Sequence, residues 1–321
     1  MSDRITSPFQ RFSTAREVVA GHDLSGQTVI VTGAATGIGV ETVRALAEAG
    51  ADVVIAARKP DLAAAAIADV ETTAKGKVSF EMLDLSDFAS IRAFGARWGA
   101  RPLNILINNA AVMACPLDHT KDGLEMQIGT NHFGHFLMTA LLTPALIAGA
   151  KASGKTSRLV SLSSIGHVRS DIRWDDPHFK NGDYEKWAGY GQAKTANALF
   201  AVGFNRRFKD QGVTANAVMP GGILTPLQRH LPIEEQRAMG WIDENGKVRD
   251  GFKTTEQGAS TSVWAAVGAE LEGVGGLYLE DCAQAAPWSK ENPRAGVMAH
   301  ALDPESAERL WALSVETTGA G

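Results

Sequence analysis

Short apolar runs alternate with helical patterns from Thr28 onward, and this alternation constrains the fold more than any other feature. Most of the runs are rich in Val, Ile and Leu, which is typical of parallel strands buried on both faces. The predicted strands are Thr28–Thr32, Asp52–Ala56, Val78–Met82, Ile105–Asn108, Arg158–Leu162, Thr214–Met219 and Gly276–Leu279. The predicted helices are Ile38–Ala49, Asp61–Thr73, Phe88–Gly99, Leu124–Ala148, Trp187–Gln211 and Thr255–Val267. The pattern predicts an α/β fold of three layers around a doubly wound, seven-stranded parallel sheet.

Three segments lie outside this rhythm, and we expect substrate identity to reside in them because loops on a rigid scaffold carry specificity. They are an N-terminal extension (1–24), an acidic and aromatic insertion (166–186) and a partly helical lid (222–252). We predict a single domain over 25–282, containing the insertion and the lid, followed by a C-terminal segment (283–321).

The charge balance excludes one class of partner. The net charge is −5, the pI is about 5.9, and no Lys/Arg run is longer than Arg206-Arg207. The sequence therefore lacks the cluster of basic residues that is typical of nucleic-acid binding. No window approaches the roughly 20 uninterrupted apolar residues of a membrane span, and the first 24 residues lack an apolar signal core. Cys115 and Cys282 are the only cysteines, which suits a reducing compartment and structural roles. We expect a cytoplasmic protein with neither a nucleic-acid nor a membrane partner.

A glycine-rich turn, Thr32-Gly33-Ala34-Ala35-Thr36-Gly37-Ile38-Gly39, joins the first predicted strand to the first predicted helix. Its glycines would let the backbone approach a pyrophosphate, and the helix N-terminus would supply N–H donors and partial positive charge. In this strand-turn-helix context the motif predicts a dinucleotide site.

Residues after the second and third strands bear on the choice of cofactor. An NAD enzyme usually places an acidic residue after the second strand, but this chain has Ala56-Ala57-Arg58-Lys59. The guanidinium of Arg58 would bind a 2′-phosphate, so the sequence favours NADP(H), with NAD(H) still possible. Asp84, after the third strand, is placed either to contact adenine or to cap the next helix.

Tyr190 and Lys194 stand four residues apart in a predicted helix, so the phenol and the ammonium project from one face. A nearby ammonium favours the phenolate and can lower the pKa of a tyrosine. The pair therefore predicts a general acid-base site, with Lys194 lowering the pKa of Tyr190.

Taken together, these motifs resemble the short-chain dehydrogenase/reductases, and among them the retinol-dehydrogenase-like branch, over roughly Leu24 to Cys282. The resemblance also rests on Asn108-Asn109-Ala110-Ala111, on Asn131, on paired serines ending at Ser164, and on Pro220-Gly221 followed by Thr225. It implies a Rossmann fold and a homodimer or homotetramer. It also implies that the cofactor is bound by Gly33, Thr36, Gly37, Ile38, Gly39, Arg58, Lys59, Asp84, Leu85, Asn109, Ala110, Ala111, Tyr190, Lys194, Pro220, Gly221, Ile223 and Thr225.

The resemblance implies a catalytic role for four residues. Tyr190 would exchange a proton with the substrate oxygen, Ser164 would hydrogen-bond that oxygen, and Lys194 would bias the phenol toward ionisation and hold the nicotinamide ribose. Asn131 would belong to a water chain that returns protons to Lys194. Ser163 competes with Ser164 because both follow the same strand.

The chain departs from the family in two places. The usual Asn-Asn-Ala-Gly ends here in Ala111. We also expect no membrane anchor of the kind common among animal retinol dehydrogenases, so a retinoid substrate is not implied.

Several alternatives remain open at this level. The chain could be an NADP-sensing protein without turnover, or an epimerase or dehydratase of the extended relatives. His132 and His135 are three residues apart without an acidic third ligand, so we expect no metal site. Met113, Met219 and Trp187 could line a substrate pocket or belong to the core. A further set of side chains suggests a bulky apolar carbonyl compound or secondary alcohol as the small-molecule substrate: Trp174, Phe179, Trp187, Leu227 and Trp241.

Overall fold

The computed structural model describes residues 4–320. Its centre is a sheet in the order β3-β2-β1-β4-β5-β6-β7-β8, in which the first seven strands are parallel. The strands are β1 (Thr28–Thr32), β2 (Asp52–Ala57), β3 (Val78–Met82), β4 (Ile105–Asn108), β5 (Ser157–Leu162), β6 (Val213–Met219), β7 (Tyr278–Glu280) and β8 (Ala283–Gln284). The predicted three-layer α/β fold is therefore confirmed.

The sheet has one strand more than predicted. β8 pairs antiparallel with β7 through a two-residue turn, Asp281-Cys282. Both turn residues have left-handed backbones, with φ of 49° and 57°. Positive φ at both central positions is the conformation that a tight hairpin requires, although Asn-Gly usually supplies it. The turn therefore lacked the usual sequence signal.

Helices cover both faces of the sheet. They are α1 (Ala15–Val19), α2 (Ile38–Glu48), α3 (Pro60–Val70), α4 (Phe88–Trp98), α5 (Met126–Ile128), α6 (His135–Ser153), α7 (Lys186–Phe208), α8 (Ile233–Ala238), α9 (Thr255–Val267) and α10 (Pro304–Thr318). α1, α2, α3 and α9 pack on one face, and α4, α6 and α7 pack on the other. Successive β1 side chains serve opposite faces, because Val29 and Val31 join one apolar cluster and Ile30 joins the other.

The predicted helix over Leu124–Ala148 is divided in the structure. A π-helical stretch, Gly129–Gly134, separates α5 from α6. The combined segment Met126–Ser153 is long and apolar enough to cross a membrane by length and composition, which the sequence analysis did not anticipate. Two thirds (67%) of its most apolar window is buried inside the fold, as in the core helix of a soluble protein. Cytoplasmic localisation stays a prediction.

Both ends of the described chain pack against the sheet layers. In the N-terminal segment, Ala15, Val18 and Leu24 are buried in the core. In the C-terminal segment, α10 lies along α7, where Trp311 packs against aromatic side chains of α6 and α7. Because α7 is buried from Gly189 to Asn205, its face away from the sheet is covered by the chain's own C-terminal helix.

Candidate active site

A continuous cleft of about 810 Å³ runs along the carboxyl ends of the parallel strands. β1 lies between β2 and β4, so the chain winds in opposite directions on the two sides of β1. Ligands of open α/β sheets bind at such a switch point. The glycine-rich turn after β1 begins the cleft, and the lid closes its far end.

The glycine-rich turn fits a bound pyrophosphate. Gly33 and Gly37 have φ of 64° and 66°, which side chains rarely adopt. A Cβ on Gly33 would lie 2.8 Å from Ala110, and one on Gly39 would lie 2.6 Å from Cα of Ala34. α2 begins directly after Gly37, so its first N–H groups and partial positive charge lie at the cleft.

A buried histidine fastens this turn to the segment after β4. His135 Nδ1 donates to the carbonyl oxygen of Asn131 at 2.9 Å, so its Nε2 is free to accept from the Thr32 hydroxyl at 2.8 Å. The same hydroxyl accepts from the backbone N–H groups of Asn109 and Ala110, each at 2.9 Å. Burial lowers the pKa of His135 to about 4, so the imidazole is neutral at pH 7.

Asn131 holds the other end of that segment. Its side-chain oxygen accepts from the N–H of Val112 at 2.8 Å, and its side-chain nitrogen donates to the carbonyl of Val112 at 2.9 Å. Asn131 is fully buried and lies behind the cleft wall, inside the π-helical stretch. π-Helical turns are frequent at functional sites because they re-aim single residues.

The two serines after β5 differ in their contacts. Ser163 is buried and donates to the carbonyl of Lys194 at 2.7 Å, so its hydrogen is already engaged. Ser164 is half-buried at the cleft, and its oxygen accepts from the N–H of Gly166 at 3.0 Å. The Ser164 hydroxyl therefore keeps its hydrogen for another partner.

Two glycines let Tyr190 lie against the serine loop. A Cβ on Gly166 would come within 2.8 Å of the Tyr190 ring, and one on Gly191 would come within 2.9 Å of the carbonyl oxygen of Gly166. α7 can therefore approach the short 3₁₀ helix Ile165–Arg169 closely enough to bring Tyr190 beside Ser164.

The electrostatic balance at Tyr190 differs from the sequence expectation. Burial raises the pKa of Tyr190 to about 12, and the neighbouring Ser164 side chain offsets part of this rise. Lys194 Nζ lies 5.6 Å from the Tyr190 ring centroid and donates to the carbonyl of Leu162 at 2.9 Å. Burial also lowers the pKa of Lys194 to about 7. Burial is therefore the main influence on the pKa of Tyr190, the expected lowering by Lys194 is not found, and the phenol keeps its proton at neutral pH.

Positive charge gathers where the second strand ends. Arg58 and Lys59 line the cleft, with Arg58 Nη1 4.0 Å from Asp84 Oδ1. Burial lowers the pKa of Arg229, and the charge of nearby Arg58 lowers it further. Asp84 also accepts from the N–H and the hydroxyl of Ser86, so its carboxylate shapes its own loop.

Trp187 of α7 and two residues of the lid form an aromatic wall at the substrate end of the cleft. Trp187 contacts both Tyr190 and Trp241, with ring centroids 6.2 and 6.1 Å apart, and Leu227 completes this cluster. The other two predicted aromatics lie elsewhere. Trp174 packs under Arg309 near α10, and Phe179 is buried between Arg173 and Tyr184.

Most of the residues predicted for the site lie in this cleft, and two lie behind its wall. Asn131 and Gly39 support the wall without lining it. The three residues left open between pocket and core, Met113, Met219 and Trp187, all line the cleft. The remaining lining residues from the sequence-based set are Gly33, Thr36, Gly37, Ile38, Arg58, Lys59, Asp84, Leu85, Asn109, Ala110, Ala111, Ser164, Tyr190, Lys194, Pro220, Gly221, Ile223 and Thr225.

Sequence reasoning missed the His135–Thr32 contact and the cleft residues Arg11, Arg229 and Arg249. His135 carried a usable signal, since it follows Asn131 by one helical turn.

His132, the other histidine considered as a metal ligand, contacts Ser314 of α10 at 2.7 Å. Residues 4–320 contain no cluster of three or more His, Cys, Asp or Glu side chains arranged for a metal ion.

The fold and the cleft define a doubly wound α/β protein with a dinucleotide-type site beside a Ser, Tyr and Lys cluster. A family model for short chain dehydrogenases matches residues 27–174. Retinol dehydrogenase 12 of Mus musculus is 38% identical over 98% of this chain and 94% of its own length. A Streptomyces lividans protein named "Probable oxidoreductase" is 46% identical over 93% of this chain and 100% of its own length.

Among solved structures, an uncharacterized protein from Mycobacterium paratuberculosis matches with a TM-score of 0.70 and 30% identity. The match covers 96% of this chain and 98% of that protein. The chain therefore belongs to the short-chain dehydrogenase/reductase family of oxidoreductases, and within it to the retinol-dehydrogenase-like branch.

Proposed function

We propose that this protein is an NADP(H)-dependent oxidoreductase that interconverts a carbonyl and an alcohol, with Tyr190 as general acid and base. One observation carries the proposal. Ser164, Tyr190 and Lys194 lie on one wall of the same cleft that begins at the glycine-rich turn. A cofactor held by that turn and a substrate under the lid would therefore meet at these three side chains.

The protonated phenol suits carbonyl reduction. Bound NADPH would supply the hydride. Tyr190 is protonated at neutral pH, and because an alkoxide is a stronger base than a phenolate, the phenol can give this proton to the developing alkoxide. The free hydrogen of Ser164 would stabilise the same oxygen, a contact whose loss typically lowers turnover about 100- to 1000-fold.

Lys194 and Asn131 would act from behind the phenol. With a pKa of about 7, Lys194 can donate hydrogen bonds to a ribose and can also exchange protons near neutral pH. Asn131 has both side-chain groups engaged by Val112. We therefore assign Asn131 to fixing the segment beside Lys194, with any water-mediated role built on that position.

The preference for NADP(H) rests on cations at the end of β2. Arg58, Lys59 and Arg229 line the cleft there, and the single nearby acid, Asp84, is engaged with Ser86. Forked guanidinium donors match a phosphate monoester better than a ribose hydroxyl. The aromatic wall of Trp187 and Trp241 favours a bulky apolar carbonyl compound or secondary alcohol.

The test is NADPH consumption with a panel of apolar aldehydes and ketones, comparing the parent protein with Tyr190→Phe. We expect turnover in the parent and a loss of at least about 1000-fold in the variant, because the phenyl ring packs equally well but carries no proton. NADPH should bind both proteins with similar affinity. Tight NADPH binding without turnover of any carbonyl compound or alcohol would instead indicate the sensor function.

A further inference from the structure

The charge that lines the cleft is opposite to that of the whole chain. Among residues 4–320, nine Arg and Lys side chains and three Asp side chains line it, whereas the whole protein carries a net charge of −5. Three of these cations, Arg58, Lys59 and Arg229, lie at the phosphate end, where a dinucleotide accounts for them. The cations at the substrate end need another explanation.

Three arginines border the aromatic wall at that end. Arg169 stacks over Trp187, with its guanidinium carbon 5.1 Å from the ring centroid. Arg249 follows Trp241 around a turn, and its backbone N–H donates to the carbonyl of Trp241 at 2.9 Å. Arg11 donates to the carbonyl of Gly251 at 2.9 Å. We name Arg11, Arg169 and Arg249 the arginine rim.

The rim is not neutralised by the protein. All three guanidinium groups are exposed and line the cleft, and none has a carboxylate within 4.0 Å among the described residues. Of the nearby acids, Glu235 pairs with Lys186 and Asp281 pairs with Lys253. Asp250 is the remaining acid at this end of the cleft in the part of the chain that the structure describes. The three rim arginines thus face one carboxylate that no lysine or arginine neutralises.

One rim cation shares a tryptophan with the reacting group. The Trp187 ring contacts the Tyr190 ring, with centroids 6.2 Å apart, and the Arg169 guanidinium carbon lies 5.1 Å from the same Trp187 centroid. A substrate that places its carbonyl at Tyr190 would lay its body along Trp187 and Trp241 and reach the rim with its remote end.

Resting on the proposed function, we infer that the substrate is an apolar carbonyl compound or alcohol that carries an anionic group, a carboxylate or a phosphate, at its remote end. Each predicted specificity segment supplies one arginine of the rim: Arg11 comes from the N-terminal extension, Arg169 from the insertion and Arg249 from the lid. Exposed cations around a cleft also concentrate anionic substrates and raise their association rate at low salt.

The first test compares three substrates of equal chain length: an ω-oxo fatty acid, its methyl ester, and the corresponding ω-oxo alkyl phosphate. We expect a lower KM for the two anions than for the ester, and the difference should shrink as salt is raised. Arg11→Gln, Arg169→Gln and Arg249→Gln should each raise the KM for the anions about threefold to tenfold and leave that of the ester unchanged. Arg237→Gln, on the lid but outside the cleft, is the matched control.

The two anions separate the possible chemistries. A preference for the phosphate alone would assign a phosphate group, a preference for the carboxylate alone would assign a carboxylate, and equal preference would show that the rim selects negative charge rather than one group. Equal KM values for ester and anions, with arginine variants that change nothing, would overturn the inference while leaving the proposed reaction intact.

A binding measurement keeps the two proposals distinct. Calorimetric titration with decanoate and with 1-decanol measures binding affinity directly, so it does not depend on turnover. Tighter binding of decanoate that the rim variants abolish would support the rim even if no carbonyl compound were reduced. Equal binding of decanoate and the alcohol would count against it.

Discussion

The hydroxyl of Thr32 and Nε2 of His135 are 2.8 Å apart, across 103 residues of sequence. This contact joins the strand that precedes the glycine-rich turn to the helix that follows Asn131. It requires a neutral imidazole, because both lone pairs of the Thr32 hydroxyl already accept from Asn109 and Ala110 and leave none for a protonated Nε2. The cofactor side of the cleft therefore depends on a buried group that titrates.

We predict that stability falls in mild acid. Burial lowers the pKa of His135 and of His167 to about 4 and that of His132 to about 3, from an ordinary value of 6.5. Below pH 6.5 these histidines bind protons in the unfolded chain but stay neutral in the folded chain. Their contribution to the free energy of unfolding is therefore fully present above that pH and is lost as pH falls toward 4. Each of these groups should contribute a loss of roughly 2 kcal/mol between pH 7 and pH 5.

Urea unfolding at a series of pH values measures this loss. His135→Gln cannot titrate and should reduce the difference between pH 7 and pH 5, whereas His119→Gln, an exposed position, should not. An unchanged pH dependence in His135→Gln would contradict a buried neutral imidazole.

A single methyl group on Gly166 should displace the Tyr190 phenol, the proposed general acid and base. Its Cβ would lie 2.8 Å from the Tyr190 ring, closer than real contacts allow, so the ring or the serine loop must shift. We expect Gly166→Ala to lower kcat at least about tenfold, since misplacement by about 1 Å can cost that much or more. NADPH affinity, measured by fluorescence titration, should change little.

Gly182→Ala is the control, because a Cβ there meets nothing within 4 Å. Similar losses of kcat in both variants would show that the effect is not a displacement of Tyr190.

Reversing the charge at position 58 should change cofactor preference. Arg58→Asp would remove a donor to a 2′-phosphate and place a like charge beside it, so the KM for NADPH should rise about 10- to 100-fold while that for NADH falls or stays constant. Steady-state kinetics with both cofactors measure the ratio. Lys151→Asp makes the same charge change on an exposed residue outside the cleft. Equal rises for NADPH and NADH in Arg58→Asp would remove the assignment of Arg58 to the phosphate.

Loss of Trp311 should uncover α7. Its indole contacts Phe136, Phe200 and Phe204, and the guanidinium carbon of Arg207 lies 4.2 Å from its ring centroid. We expect Trp311→Ala to lower the free energy of unfolding by about 3 kcal/mol and to promote self-association through the exposed aromatic face. Urea titration and size-exclusion chromatography measure the two effects. Glu316→Ala, exposed on the same helix, should change neither. A Trp311→Ala protein as stable as the parent would show that α10 does not stabilise this face.

The parallel strands were predictable from the sequence because strands buried on both faces carry continuous apolar runs. β1, β3 and β4 have the predicted bounds. β8 was not predictable, since two residues are too short for a pattern and its turn uses Asp281-Cys282. α10 carried an unused signal, because Asp303 caps the helix and Pro304 occupies its first turn.

The placing of the candidate site residues in one cleft was predictable from motifs, but the electrostatics of the site were not. A motif specifies that Tyr190 and Lys194 share a helix face, whereas their pKa values depend on how completely the fold buries them. The arginine rim was likewise not predictable from the sequence. Arg11 and Arg249 are 238 positions apart, and only tertiary packing places both at one cleft.

The small β8 strand affects how readily the protein would aggregate at high protein concentration. A sheet that ended at β7 would present an open edge to which another chain could add a strand. Here β8 occupies that edge, and the N-terminal segment seals it in turn: Thr6 bridges Ala283, Gln284 donates to the carbonyl of Ile5 at 2.7 Å, and the Ser7 hydroxyl donates to Cys282. β8 and residues 5–7 thereby protect this edge of the sheet from the addition of a strand by another chain.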